Sequence, residues 1–430
     1  MERTALQNLI KWKDKKNRKP LIIKGARQVG KTWLMKEFGK LFFKKVVYIN
    51  FENKKILQQV FLQDFNIDRI LSVFSIETGI EITKNDTLII LDEIQEAERG
   101  MTSLKYFYEE APEYYMLAAG SYLGISINQE NSFPVGKVNF LDLYPLSFEE
   151  FLLATNGKKI NEIITKQQWD LTKIFKSKII ERLKQYYFVG GMPEVVKIFI
   201  ENNDYNEVRQ IQNEILRAYE HDFSKHALLK IVPRIKMVWN SIPAQLSKEN
   251  KKFIFGLIKK GARAKDFELA LEWLAGSGLI QKVYRISKPG IPLKSYSDFN
   301  AFKVFLVDIG LLGAMSELDI NIIIEANHIF KEFKGALTEQ YVFQQLVNND
   351  LFYWSAEKSD GEIDFILQNK QEIYPIEVKA EENLKAKSLK SFCNKYNINN
   401  AVRTSMSDYR EETWLTNIPL FGIKSYFDNL

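Results

Sequence analysis

Gly25-Ala26-Arg27-Gln28-Val29-Gly30-Lys31-Thr32 brackets a short loop between two glycines and follows the second with an ammonium and a hydroxyl. The glycines free the backbone to turn its N–H groups onto an anion, and a helix starting near Lys31 adds the positive end of its dipole. Lys31 is placed to reach terminal phosphates and Thr32 to hold magnesium. This is the chemistry of a P-loop, which asks for a strand before the loop and a helix after it. Leu21-Ile22-Ile23 and the amphipathic run from Lys31 through Met35 supply both without spacers. Ala26, Arg27, Gln28 and Val29 then wrap the phosphates.

A P-loop alone gives nucleotide binding, and turnover needs further groups. Thr87-Leu88-Ile89-Ile90-Leu91-Asp92-Glu93 supplies them. Four consecutive apolar residues read as a strand buried on both faces, with two carboxylates emerging at its carboxyl end. Neighbouring strand residues point opposite ways, so Asp92 can hold magnesium while Glu93 polarises a water. Val46 to Asn50 reads as another strand, which brings Asn50 and Glu52 toward the same end of the sheet. A further strand, Tyr115 to Ala119, ends in Gly120-Ser121. The Ser121 hydroxyl is either a sensor of the terminal phosphate or a small residue where strand meets loop.

Near the other end of the chain, Gly335 to Leu346 reads as a helix, with Glu339 on the same face as Val342, Phe343 and Leu346. A carboxylate on an apolar stripe is costly unless something pairs it. Glu362 to Leu367 and Ile373 to Lys379 read as two strands joined by the polar turn Gln368 to Gln371. Alternation sets Glu377 and Lys379 on one face and Ile376 and Val378 on the other. Glu339, Asp364 and Glu377, brought together, would repel one another unless a cation or protons offset the charge. An all-oxygen set without His or Cys suits magnesium or manganese and disfavours zinc.

The segments GARQVGKT, INFEN, LIILDEIQ, AAGS and YPLSFEEF together resemble the AAA+-type ATP-binding proteins of the AAA_14 group, which carry a DUF4143 region at their C-terminal end. The likeness runs along almost the whole chain. It implies ATP and Mg2+ as ligands, a P-loop sheet of AAA+ type, and Asn50 as a polar switch facing Glu93. Phe188-Val189-Gly190-Gly191-Met192-Pro193 marks the helical lid in such proteins, although turn chemistry alone explains it as a helix stop by glycine and a restart on proline. Relatives often place Gly-Arg where Gly136-Lys137 stands here, and lysine lacks the planar fork an arginine would bring in trans. Lys303 to Leu311 matches a hallmark of the DUF4143 region without carrying a chemical role. The C-terminal part resembles the PD-(D/E)xK nuclease fold, with Asp364, Glu377 and Lys379 matching its D…ExK motif and Glu339 its helix acid. That likeness implies a second Mg2+ or Mn2+ activating water against a phosphodiester, with Lys379 steadying the developing charge and Lys385, Lys387 and Lys390 near the backbone. A retained fold with an ion-paired Glu377 and Lys379 face and no cleavage accounts for the same residues.

These groups need elements to hold them. The expected class is α/β: a P-loop AAA+-type parallel sheet over residues 1–146, a helical lid over 147–225, a winged-helix module over 226–318 and a restriction-endonuclease-like α/β domain over 319–430. A helix from Ala264 to Leu274, a Gly276-Ser277-Gly278 break and strands near Leu279 to Ile286 and Val304 to Val307 carry the winged-helix reading. Lys248, Lys251, Lys252, Lys259, Lys260, Arg263 and Lys265 either neutralise phosphates there or form a solvated face. The 430 residues, 46% hydrophobic, support several cores. A net charge of +6 permits nucleic acid without arguing for it. One cysteine, no signal-peptide pattern and no long apolar run point to a cytoplasmic protein without a membrane partner. The sequence thus suggests a magnesium-dependent ATPase coupled to a region acting on DNA. The alternative is a nucleotide-gated switch, recognised by a protein partner or by further copies of itself, with an inactive nuclease-like scaffold.

Overall fold

The computed structural model describes the chain except residues 53, 122–133, 249–251, 326–330, 357–360 and 383–385. Lys251 and Lys385, both expected near nucleic acid, lie outside the described residues. The chain forms two compact units. One comprises Glu2–Pro145 with Gly276–Leu279; the other comprises Leu146–Ala275 and Ile280–Leu430, with Met1.

The first unit is built on five strands, β1 (Leu21–Lys24), β2 (Lys45–Asn50), β3 (Thr87–Asp92), β4 (Tyr115–Ala119) and β5 (Asn139–Asp142), in the order β2-β3-β4-β1-β5. Every neighbouring pair is parallel. All strands therefore end at one edge, where β1 releases the P-loop and β3 releases Asp92 and Glu93, with β4 between them. Every residue of β3 is buried, as its unbroken apolar run requires. Ile22, Ile49, Ile89 and Leu91 meet Phe51, Phe61, Phe74 and Phe107 in the core beside the sheet. The edge strand β5 had no expectation attached to it, because only alternate residues are half-buried and its four residues carry little pattern.

The second unit opens with helices. Phe148–Ala154 starts on a capping box, in which the Ser147 hydroxyl accepts from the Glu150 amide and the Glu150 carboxylate accepts from the Ser147 amide. Longer helices follow at Lys176–Val189, Pro193–Asn202 and Tyr205–His226. Helices Val232–Leu246, Phe255–Ile258 and Ala264–Gly276 then precede the antiparallel hairpin of β6 (Ile280–Ile286) and β7 (Ser297–Leu306). That hairpin is part of a larger sheet, because β6 pairs in parallel with β8 (Leu351–Ser355) through Tyr284 and Phe352. The sheet continues through β9 (Glu362–Asn369), β10 (Glu372–Val378), β11 (Ala401–Ser405), β12 (Arg410–Glu411) and β13 (Leu415–Pro419) in the order β12-β13-β11-β10-β9-β8-β6-β7. Apart from Gly276–Leu279, the residues of the three parts expected beyond residue 146 fall in one compact unit, and one sheet crosses position 318.

Candidate active site

Backbone geometry makes the P-loop. Gly25 leaves β1 at φ +149°, and a Cβ there would stand 2.2 Å from the Leu143 carbonyl oxygen. Gly30 precedes the helix Lys31–Phe42 at φ +94°, in the left-handed region that glycine tolerates. Arg3 ties the loop down from outside: its Nη1 donates to the Val29 carbonyl at 3.1 Å and its Nη2 to the Tyr144 carbonyl at 2.5 Å. Lys31 is 6% exposed and donates to the Gly25 and Ala26 carbonyls at 2.9 and 2.8 Å. Burial pushes its ammonium down to about 8, against the pull of Glu93 and Asp92 and with the help of Arg27. Arg27 itself lies 3.7 Å from the Glu52 carboxylate.

Sixty residues further on, the end of β3 returns to this loop. The Thr32 hydroxyl donates to Asp92 Oδ2 at 2.7 Å, and the Tyr48 hydroxyl donates to the same oxygen at 2.9 Å. Asp92 is 3% exposed and its Oδ1 is buried without a hydrogen-bond partner. A hydroxyl beside a carboxylate with an unsatisfied oxygen is a donor set that fits magnesium, a hard cation that takes oxygen ligands and keeps its waters. Glu93 follows in left-handed backbone at φ 51°. Its carboxylate accepts from Gln95 Nε2 at 2.6 Å, from the Ser121 hydroxyl at 3.0 Å and from the Ser121 amide at 3.3 Å.

Asn50 ends β2 beside the strand that releases Glu93. It pairs in register with Asp92. Its Nδ2 donates to the Tyr48 hydroxyl at 3.3 Å, and its Oδ1 accepts from the Glu52 amide at 2.8 Å. Glu93 lies one residue past the strand end, where Gln95 and Ser121 donate to it. Lys137 is paired with Glu109 at 2.9 Å.

The C-terminal carboxylates correct a sequence expectation. Glu339, Asp364 and Glu377 all lie within reach of Lys379, but not as a set arranged to hold a metal ion. Lys303, from β7, lies among them with none of its surface exposed. Its ammonium pairs with Glu362 and stands 3.6 Å from Glu339. Burial lowers the Lys303 ammonium, but Glu339, Glu362 and Asp364 more than reverse this and hold it well above its ordinary value. Asp364 Oδ2 accepts from the Val378 amide at 2.7 Å. Lys379 closes onto Glu377 at 2.6 Å, as alternation along the strand allows; burial lowers its ammonium, but Glu377, with Asp364 and Glu339, more than reverses this. Among the described residues no group of three His, Cys, Asp or Glu side chains is arranged to hold a metal ion. The ion set against the acids is an ammonium from a strand 36 residues upstream of Glu339.

Sequence reasoning missed Tyr48, Arg3, Lys303 and the purpose of Asp308. A lysine interrupting the apolar run Ala301 to Val307 was the available signal for Lys303, since a buried ammonium needs a carboxylate. Asp308 caps the helix Ile309–Met315 through the Leu311 amide at 3.1 Å and also accepts from the Gly191 amide at 2.6 Å and Gln344 Nε2 at 3.0 Å. The Gly-Gly-Met-Pro break and the Lys303 to Leu311 hallmark therefore share one buried carboxylate.

Comparison with known proteins agrees with the motifs. Residues 17–152 match the AAA_14 model, an AAA domain; residues 334–421 match DUF4143 and residues 180–321 match DUF8612, both domains of unknown function. An uncharacterized protein of Methanocaldococcus jannaschii is 22% identical over 248 residues, covering 52% of this chain and 50% of that protein. The chain thus spans about half the length of the curated relative it matches. Among solved structures, a Walker-type ATPase of Pyrococcus abyssi is 14% identical, with 73% of this chain and 95% of that chain covered at a TM-score of 0.47. The Orc1 protein of Aeropyrum pernix, solved in complex with DNA, is 12% identical, with 73% and 91% covered at a TM-score of 0.27. No described helix is long and apolar enough to cross a membrane. The P-loop and the Asp92 and Glu93 strand end thus lie within an AAA domain of the AAA_14 group, and a DUF4143 region occupies residues 334–421.

Proposed function

We propose that the first unit binds ATP with magnesium and hydrolyses it. Main-chain amides from Gly25 to Gly30 and the Lys31 ammonium would hold the phosphates, Thr32 and Asp92 the metal. Bound magnesium would neutralise charge developing on the phosphates. Glu93 would take the proton of the attacking water and Ser121 would face the terminal phosphate. The contact that carries this reading is Thr32 to Asp92 at 2.7 Å, which joins the P-loop to the β3 end that also bears Glu93. Lys31→Ala should abolish binding of a fluorescent ATP analogue, whereas Glu93→Gln should keep binding and lose at least about a hundredfold in phosphate release. Wild-type turnover by Glu93→Gln would remove Glu93 from the role of base.

For the second unit, the burial of Lys303 between Glu339 and Glu362 favours a scaffold that does not cleave DNA. The order of three helices and a hairpin supports a winged-helix-like part. Its exposed Lys248, Lys252, Lys259, Lys260, Arg263 and Lys265 suit phosphate contacts, but the third helix also carries Asp266, Glu268 and Glu272, which oppose entry into a groove. Nucleotide state would accordingly be read by a partner protein or by weak, sequence-blind DNA contact. A cytoplasmic setting suits the lone buried thiol of Cys393.

A further inference from the structure

Asp92 is held unevenly. Its Oδ2 accepts from both Thr32 and Tyr48, while its buried Oδ1 accepts from nothing. A carboxylate can rotate about its Cβ–Cγ bond and exchange its two oxygens, so something must decide which one is left for the metal and its waters. Thr32 cannot do this alone, because its hydroxyl oxygen would itself be a ligand of the ion. The second donor is Tyr48, two residues before the end of β2, whose ring lies under the Lys36 ammonium at 3.6 Å. Asn50 donates to the Tyr48 oxygen from the same face of the strand. With one lone pair of that oxygen engaged by Asn50, the phenolic proton is directed at Asp92. Burial and the Asp92 charge also keep that proton on the phenol.

We infer that Tyr48 and Asn50 form a positioning pair for the magnesium-binding Asp92, and that Asn50 acts through Tyr48 and not on Glu93. The inference rests on the ATPase reading and assigns the pair to metal affinity, not to the hydrolytic step. The chain of contacts is linear: Asn50 Nδ2 to Tyr48 hydroxyl, Tyr48 hydroxyl to Asp92 Oδ2, with Oδ1 left for the water shell of the ion. Hydrogen bonds behind metal ligands typically account for ten- to a hundredfold in metal affinity.

The test measures ATP hydrolysis by the full chain as free magnesium is varied at fixed, saturating ATP. Tyr48→Phe keeps the ring and its contact with Lys36 and removes only the hydroxyl. It should raise the magnesium concentration for half-maximal rate on the order of tenfold, with the rate recovering at high magnesium. Asn50→Ala should shift the same parameter in the same direction by less, and the double variant should be no worse than Tyr48→Phe, since both act on one contact. Binding of the fluorescent ATP analogue without magnesium should be unchanged in all three. Unshifted magnesium dependence in Tyr48→Phe overturns the pair. So does a fall in the maximal rate of Asn50→Ala that adds to the effect of Tyr48→Phe and persists at high magnesium, for that would put Asn50 on Glu93. A wild-type chain that binds the nucleotide analogue but never responds to magnesium overturns the ATPase reading itself, a result distinct from either.

Discussion

Lys31 shows how one residue couples binding to pH. Its ammonium is buried against two carbonyls, and burial lowers it to about 8 from an ordinary 10.5. A polyphosphate beside it would restore the charged form, so nucleotide binding should draw in a proton wherever the free protein has lost it. ATP affinity is expected to fall as pH rises through about 8, and calorimetry in buffers of different ionisation heat should show proton uptake near pH 8 to 9. Folding stability responds with the opposite sign. Between about 8 and 10.5 the unfolded chain binds more protons at this lysine than the folded one does, so its contribution to stability rises with pH. Affinity that stays flat from pH 7 to 9 would mean Lys31 keeps its proton in the free protein.

At the scale of elements, the two glycines after Lys176–Val189 are set by what they touch. A Cβ on Gly191 would stand 2.1 Å from the Leu146 carbonyl oxygen, and the Leu146 amide donates to the Gly191 carbonyl at 2.7 Å. A Cβ on Gly190, already at φ +74°, would stand 2.1 Å from Asp308 Oδ1. The Leu146 carbonyl is backbone and cannot move away as a flexible side chain could, and at Gly190 the Gly310 amide nitrogen would also stand only 2.8 Å away. Three distant segments thereby close on Asp308, whose carboxyl is raised by burial in spite of the bonds from Gly191, Gln344 and Leu311. Gly191→Ala and Asp308→Ala should each cost about 3 kcal/mol or more, through overpacking or through orphaned buried amides. Gly79→Ala, at φ +69° with nothing within 4 Å, should cost only about 1 kcal/mol. Thermal melting of the three variants checks the order, and equal losses would show that the contacts of Gly191 and Asp308 do not govern the break.

At the scale of the whole molecule, Lys303 decides what the large sheet can do. It brings a charge from β7 to acids on β9 and on the helix Lys331–Gln345, and so joins the hairpin after the helical region to the strands that follow. Replacing it with Met leaves buried carboxylates uncompensated, which should destabilise the chain by about 3–5 kcal/mol. Unpaired buried carboxylates favour protonation, so the gap between wild type and Lys303→Met should narrow as pH falls from 7 toward 5 in thermal melts. With manganese and duplex DNA, wild type and Asp364→Asn should be equally inert. Cleavage by the wild type that Asp364→Asn abolishes would show that the ammonium yields to a metal.

Local spacing made the first site legible. Two glycines, a lysine and a threonine at a strand-to-helix turn, and paired carboxylates ending a strand buried throughout, each specify their own geometry within a few residues. Alternation likewise put Glu377 and Lys379 on one face, where they meet at 2.6 Å. The sequence by itself determined these local units and the AAA_14 and DUF4143 matches. What it left open were contacts whose partners stand far apart in the chain: Arg3 on Val29, Tyr48 on Asp92, Lys303 between Glu339 and Glu362, Asp308 on Gly191. A hydrogen bond or ion pair between distant segments carries no periodicity in either one. Only the register of β2 on β3 and the insertion of β4 between β3 and β1 chose which side chains would meet. For the same reason, only the packing of β7 beside its helix decided that the cation among the C-terminal acids is an ammonium.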